Sequence, residues 1–179
     1  MTEVYRPRTG EEMERATGAP VVMYSALCQQ MKKEGAVNTL LKNLGRKGKC
    51  VILLQNPKKM NSGHWTSISI NPNKCELYFF SSYGGRPDEE KNKWIDVDGR
   101  LRSEQETNPL NDALKQFKLV GWDVYYNDFP YQQEMDSSDA SCGIWTAAFL
   151  NSGMNPDQFA RFNRKNHMTA EKYFNLYFR

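Results

Sequence analysis

Residues 64–80, HWTSISINPNKCELYFF, decide the fold. From Trp65 to Ile70 apolar and small polar residues alternate, the period-2 pattern of a half-buried strand. Asn71-Pro72-Asn73-Lys74 is turn chemistry, because proline presets its own φ and asparagine tolerates tight backbone geometry. Cys75 to Phe80 then returns as a second strand, so the stretch reads as a β-hairpin. Just ahead, CVILLQN (50–56) is a short continuous apolar run, the signature of a buried strand.

Working outward, residues 26–44 read as helical on Leu27, Met31, Val37, Leu40, Leu41 and Leu44, with Gly35 dividing the helix. Residues 1–20 read as a loose lead-in. Gly84-Gly85-Arg86-Pro87-Asp88 opens a long polar loop. Leu110 to Leu119 is helical, with Leu110, Ala113, Leu114 and Phe117 on one face. Trp122 to Tyr126 is a further strand. An apolar helix follows from Cys142 to Leu150, then helical stretches near 156–162 and 169–178. Helix, strands, helix, strand, helix is an α+β order. With no linker or repeat, residues 1–179 are expected to form one domain.

The composition narrows the function classes. The chain has 179 residues, 39% of them hydrophobic and 12% aromatic, enough for a packed core and against disorder. No apolar run approaches the roughly 18 residues that span a bilayer; the longest, Val51 to Leu54, is strand-sized, and no membrane partner is expected. The N-terminal MTEVYRPRTGEEMERATG is polar and does not read as a signal peptide, so a reducing intracellular compartment is expected. Cys28, Cys50, Cys75 and Cys142 are widely spaced, no CxxC pair occurs, and there are only two histidines. No disulfide framework, zinc site or other cofactor is expected, and the first three cysteines read as buried free thiols. A net charge of +3 does not by itself imply nucleic acid. Lys42, Arg46, Lys47, Lys49, Lys58 and Lys59 nevertheless follow one another with no acid between, as a solvated face or a polyanion patch.

Cys142 and His64 carry the chemistry. A thiol must ionise to attack a carbonyl, and a helix N-terminus or a nearby imidazolium favours the thiolate. Ser137, Ser138, Asp139 and Ser141 are capping candidates ahead of Cys142. Gly143 permits close approach of another backbone, and the apolar residues from Ile144 onward anchor the helix in core. His64 stands between the turn Asn61-Ser62-Gly63 and a strand, with Trp65 beside it to exclude water. His167 lies in a basic C-terminal stretch and is the weaker candidate base.

Gly63-His64-Trp65, the hairpin, Tyr83-Gly84, a glutamine, and Ser141-Cys142-Gly143 occur in that order. The set resembles the adenain-like cysteine proteases, the group of the adenovirus maturation proteinase, the SUMO-type proteases and the capsid-maturation proteases of large DNA viruses and virophages. The resemblance runs from about Val51 to Leu150 and is most detailed in the hairpin and in DASCGIWTAAFLN (139–151). It implies a papain-like or adenain-like fold: a central, mostly antiparallel sheet flanked by helices, with the nucleophile at the start of a buried helix. It also implies that Cys142 attacks, His64 is the base, and a glutamine amide helps hold the oxyanion. Gln132 fits the family spacing after Tyr126-Asn127, and Gln133 is the alternative. Trp65 and Gly143 would lie against substrate.

One position departs from the family. Its carboxylate, at the end of the second hairpin strand, falls on Ser81. A hydroxyl can accept the histidine Nδ1–H bond but supplies no charge. Asp88 and Asp96 in the following loop are the alternative carboxylates. The resemblance implies a monomeric endopeptidase acting on viral capsid or virion precursors, in the virion and host-cell cytoplasm, with DNA or a peptide as a possible activator. Deconjugation of a ubiquitin-like modifier is the alternative activity, and a degraded protease that only binds a partner is the alternative class.

Overall fold

The computed structural model describes residues 2–58, 63–133 and 138–179, and among these five strands form one sheet. They are β1 (Val21–Met23), β2 (Lys49–Gln55), β3 (Gly63–Asn71), β4 (Glu76–Ser81) and β5 (Asp123–Tyr126), adjacent in that order. The hairpin read from residues 64–80 is β3 and β4, antiparallel, with Ile68 opposite Phe79. A 3-10 turn over Pro72–Lys74 closes it, and Cys75 takes a left-handed φ of 52°. β2 pairs antiparallel with β3, Leu54 opposite His64. The outer pairs, β1 with β2 and β4 with β5, are parallel.

The strand expected to be half-buried is buried on both faces, because helices cover both sides of the sheet. Val51, Trp65, Tyr78 and Phe80 point into one core, and Ile52, Ile68, Leu77 and Phe79 into the other. Nine helices surround the sheet among the described residues: α1 (Gly10–Thr17), α2 (Tyr24–Glu34), α3 (Ala36–Asn43), α4 (Glu89–Trp94), α5 (Val97–Arg102), α6 (Pro109–Leu119), α7 (Cys142–Ser152), α8 (Pro156–Lys165) and α9 (Ala170–Tyr177). α1, α7, α8 and α9 pack on the first face, and α2, α3 and α6 on the second. The result is α+β, as the sequence order requires.

α7 is apolar all round and buried from Cys142 to Leu150, as a helix enclosed on every side must be. Phe149 stacks on Phe80 of β4 at 4.6 Å and meets Phe159 of α8 edge-on at 5.5 Å. Such pairs add roughly 0.5–1.5 kcal/mol each beyond area burial. Thr146 of α7 donates to the Trp65 carbonyl at 3.1 Å, fixing the height of the helix against β3.

Three sequence expectations change. The lead-in is not loose: it holds α1, capped by the reciprocal Thr9–Glu12 box and ended by left-handed Gly18. The polar loop after Gly84 contains α4 and α5, which lack an apolar period and are ordered by tertiary contacts. Cys75 is exposed, in the hairpin turn, whereas Cys28 and Cys50 are buried; all four cysteines are free thiols. The basic stretch is partly neutralised. Lys42 pairs with Glu34 and Lys58 with Asp96, Arg46 and Lys47 are exposed, and Lys59 lies outside the described residues. No described helix is long and apolar enough to cross a membrane.

Candidate active site

β3 and β4 bring His64 and Ser81 together. Ser81 is registered opposite Thr66, so residues 64 and 81 are diagonal neighbours on one face of the sheet. The His64 Nε2 lies 2.9 Å from the Ser81 hydroxyl, so the nitrogen engaged is Nε2 rather than the expected Nδ1. Asn127 fixes Ser81 from the other side. Its Oδ1 accepts the Ser81 N–H at 3.0 Å, and its Nδ2 donates to the Ser81 carbonyl at 2.6 Å. The amide thus continues the β4–β5 pairing past its last registered pair, Phe79 with Tyr126.

A carboxylate is present after all, and it is neither Asp88 nor Asp96. Ser81 donates to Glu90 Oε1, and Glu90 Oε2 stands 3.5 Å from His64 Nε2. Glu90 comes from α4, its side chain only 7% exposed. Asp88 anchors the start of that helix, accepting from the Tyr24 hydroxyl and from the Asn111 N–H at 2.8 Å. Asp96 caps α5 through the Gly99 N–H at 2.7 Å and pairs with Lys58. The sequence held one signal for Glu90, the glycine at 85. A Cβ there would lie 2.5 Å from Glu90 Oε1 and 2.9 Å from its Cδ.

Aromatic rings enclose the imidazole. Tyr83 stacks on it at 4.0 Å with an interplanar angle of 7°, and Trp94 meets it edge-on at 5.4 Å. His64 is 1% exposed, and its Nδ1 is buried without a hydrogen-bond partner among the described residues. Burial pushes the imidazole pKa down to about 3. The adjacent Glu90 carboxylate acts against that shift by favouring the cation.

Cys142 is the first residue of α7 and 6% exposed. The backbone N–H groups of Trp65, the residue that directly follows His64, and of Gly143 act to lower the pKa of its thiol. Both amides favour the thiolate, as the helix start was expected to do. Burial outweighs them, and with the charges of Glu90 and Asp139 it pushes the thiol up to about 11. Burial thus disfavours the charged form of both groups. Ser141, the N-cap residue, makes no side-chain capping bond, while Asp139 Oδ1 accepts its N–H at 3.1 Å. Ser137, a capping candidate, and the turn residues Asn61 and Ser62 lie outside the described residues.

The two glutamines are placed differently. Gln132 is buried beside the start of α7: its Oε1 accepts from Ser82 at 3.0 Å and from Ser141 at 3.4 Å. Its Nε2 donates to the Asp139 carbonyl at 3.0 Å, leaving one of its two amide protons for another acceptor. Gln133 is exposed. Trp65 and Gly143 are not laid open to a substrate. The Trp65 indole is in core, donating to the Arg8 carbonyl at 3.1 Å. A Cβ on Gly143 would meet Arg8 Cγ at 2.8 Å and Met13 Sδ at 3.0 Å, so side chains rather than a second backbone approach it. Among the described residues no three His, Cys, Asp or Glu side chains gather as a metal site requires.

No protein-family model and no curated protein matches the sequence. Solved structures do. The SUMO protease Ulp1 with its catalytic cysteine oxidised to a sulfinic acid shares 16% identity over 83% of this chain and 66% of its own, at a TM-score of 0.43. ChlaDub1 from Chlamydia trachomatis shares 10% over 88% of this chain and 83% of its own, at 0.41. The Ulp1-like SUMO protease catalytic domain of Chaetomium thermophilum shares 18% over 79% and 55%, at 0.33. This chain thus spans just under two thirds of the Ulp1 structure. Likenesses this distant decide neither activity nor substrate, which rest on the residues of the site.

Proposed function

We propose that the chain is a cysteine endopeptidase with Cys142 as nucleophile and His64 as general base. One observation carries the reading. Thr146 of α7 bonds the Trp65 carbonyl, which holds Cys142 at the start of that helix against the strand of a histidine whose Nε2 engages Ser81 and whose Nδ1 is buried without a hydrogen-bond partner among the described residues. Nδ1 takes the thiol proton as the sulfur attacks the scissile carbonyl. The Cys142 N–H and the remaining Gln132 amide proton hold the oxyanion. His64 then protonates the leaving amine, and water hydrolyses the thioester. Because burial disfavours both charges, the proton moves during attack rather than before it.

The hairpin resemblance supports a capsid or virion precursor as substrate, and a ubiquitin-like modifier is the competing one. Parallel incubation with a DNA-virus capsid precursor and a SUMO fusion separates them, with Cys142→Ala as control. Cleavage of either that survives Cys142→Ala removes the proposal. For DNA as an activator the supporting residues are Arg46 and Lys47, and DNA stimulation must fade as salt rises.

A second reading, a protease-derived module that only binds a partner, has one observation on its side. The histidine is covered by Tyr83 and Trp94, and burial disfavours the charged form of both reacting groups. Absence of turnover together with unlabelled Cys142 would favour it.

A further inference from the structure

We infer that Glu90 supplies the carboxylate of this site from α4 and acts on His64 through Ser81 as a positioning residue. The inference rests on the peptidase reading for its consequence, though not for its geometry.

Counting protons assigns each bond. A carboxylate only accepts. The single hydroxyl proton of Ser81 therefore goes to Glu90, and Ser81 faces its other neighbours with lone pairs. One neighbour is the Tyr83 N–H at 3.3 Å and the other is His64 Nε2 at 2.9 Å. Nε2 must then carry the proton. A neutral imidazole has one N–H, so Nδ1 is left as the base. Nδ1 is the buried nitrogen without a hydrogen-bond partner among the described residues. Without Glu90 the hydroxyl would be free to turn its proton to Nε2, which moves the imidazole proton to Nδ1 and blocks the base.

The surroundings are arranged to deliver this carboxylate. In the six-residue α4, Glu89, Asn92 and Lys93 are exposed while Glu90 and Lys91 turn inward. Lys91 donates to the Thr107 carbonyl at 2.6 Å and to Asn108 at 3.0 Å, and Asp88 ties down the helix start. Gly85 leaves vacant the volume that Glu90 occupies. The negative charge also lies 3.5 Å from Nε2, where it favours the imidazolium formed as the thiol is deprotonated.

The test pairs ring-nitrogen NMR of His64 with peptide turnover, in wild type, Glu90→Gln and Gly85→Ala. Wild type is expected to show the proton on Nε2. Glu90→Gln keeps shape, removes the charge and, unlike a carboxylate, can donate to Ser81. It is expected to move the proton to Nδ1 and lower kcat roughly a hundred- to ten-thousandfold, with KM little changed. Gly85→Ala displaces the carboxylate without altering Glu90 and should do the same to a smaller degree, which covers the case of a Glu90→Gln that does not fold. Wild-type tautomer and kcat in both variants would overturn the inference. An inactive wild type with the Nε2–H tautomer lost in the variants would instead refute the peptidase reading alone.

Discussion

The hydroxyl of Ser81 donates to a carboxylate oxygen of Glu90, and this bond fixes what Ser81 offers to His64. Ser81 is thus a link between a histidine on β3 and an acid on α4. Charge and hydrogen bond, which one aspartate or glutamate would supply together, come from two residues nine apart in sequence.

Ser81 and Glu90 should therefore behave as one unit. Ser81→Ala is expected to lower kcat, because Glu90 Oε2 at 3.5 Å is a longer partner for Nε2 than the hydroxyl it replaces. Combining it with Glu90→Gln should cost no more than the worse single variant, the non-additivity expected of residues in one network. Fully additive losses, measured as kcat/KM in a double-mutant cycle, would mean that the two act separately.

Gln132 and Gln133 separate on burial. Losing one oxyanion donor typically costs about a hundred- to a thousandfold in rate. That loss is expected for Gln132→Ala, whose amide is held by Ser82, Ser141 and the Asp139 carbonyl. Gln133→Ala, at an exposed position, should stay within about twofold by the same rate assay. A large loss at Gln133 alone would reverse the assignment.

The raised thiol pKa has a pH signature. The thiol is pushed up to about 11, so the thiolate fraction is small at neutral pH and grows as pH rises towards that value. Alkylation of Cys142 by iodoacetamide should therefore accelerate about tenfold per pH unit between pH 6 and 9. A preformed thiolate–imidazolium pair would give a rate flat over that range, measurable by mass spectrometry of the Cys142 peptide.

Gly143 should resist enlargement for reasons of packing. A Cβ there meets Arg8 Cγ at 2.8 Å and Met13 Sδ at 3.0 Å. Gly143→Ala is expected to destabilise by roughly 1–3 kcal/mol, the usual range for overpacking, read as a lower Tm. Adding Arg8→Ala should recover part of the loss; no recovery would place the strain elsewhere.

The hairpin, the buried strand before it and α7 were legible because apolar residues alone determine them. The run from Ile144 to Leu150 has one burial solution, whereas Trp65 to Ile70 reads as a strand but not as one buried on both faces, with Trp65 in one core and Ile68 in the other. α4 was not legible. Its sequence, EEKNKW, has no apolar stripe, and Glu90 and Lys91 turn inward because of partners at residues 81, 107 and 108. The acid of the site therefore escaped a reading that searched the hairpin end and the nearby aspartates. Thr9-x-x-Glu12, by contrast, is a capping box visible in the sequence, and α1 was there to be found. A helix start favours the thiolate, but burial, a tertiary quantity, outweighs it at Cys142.

The central claim is that Cys142 is a nucleophile served by His64. It is tested most directly by treating the native protein with a peptide vinyl sulfone and mapping the adduct by mass spectrometry. The account predicts one adduct, on Cys142, formed at least a hundredfold more slowly in His64→Ala, as loss of a general base of ordinary strength requires. Equal labelling of exposed Cys75, or a Cys142 rate unchanged by loss of His64, would contradict it.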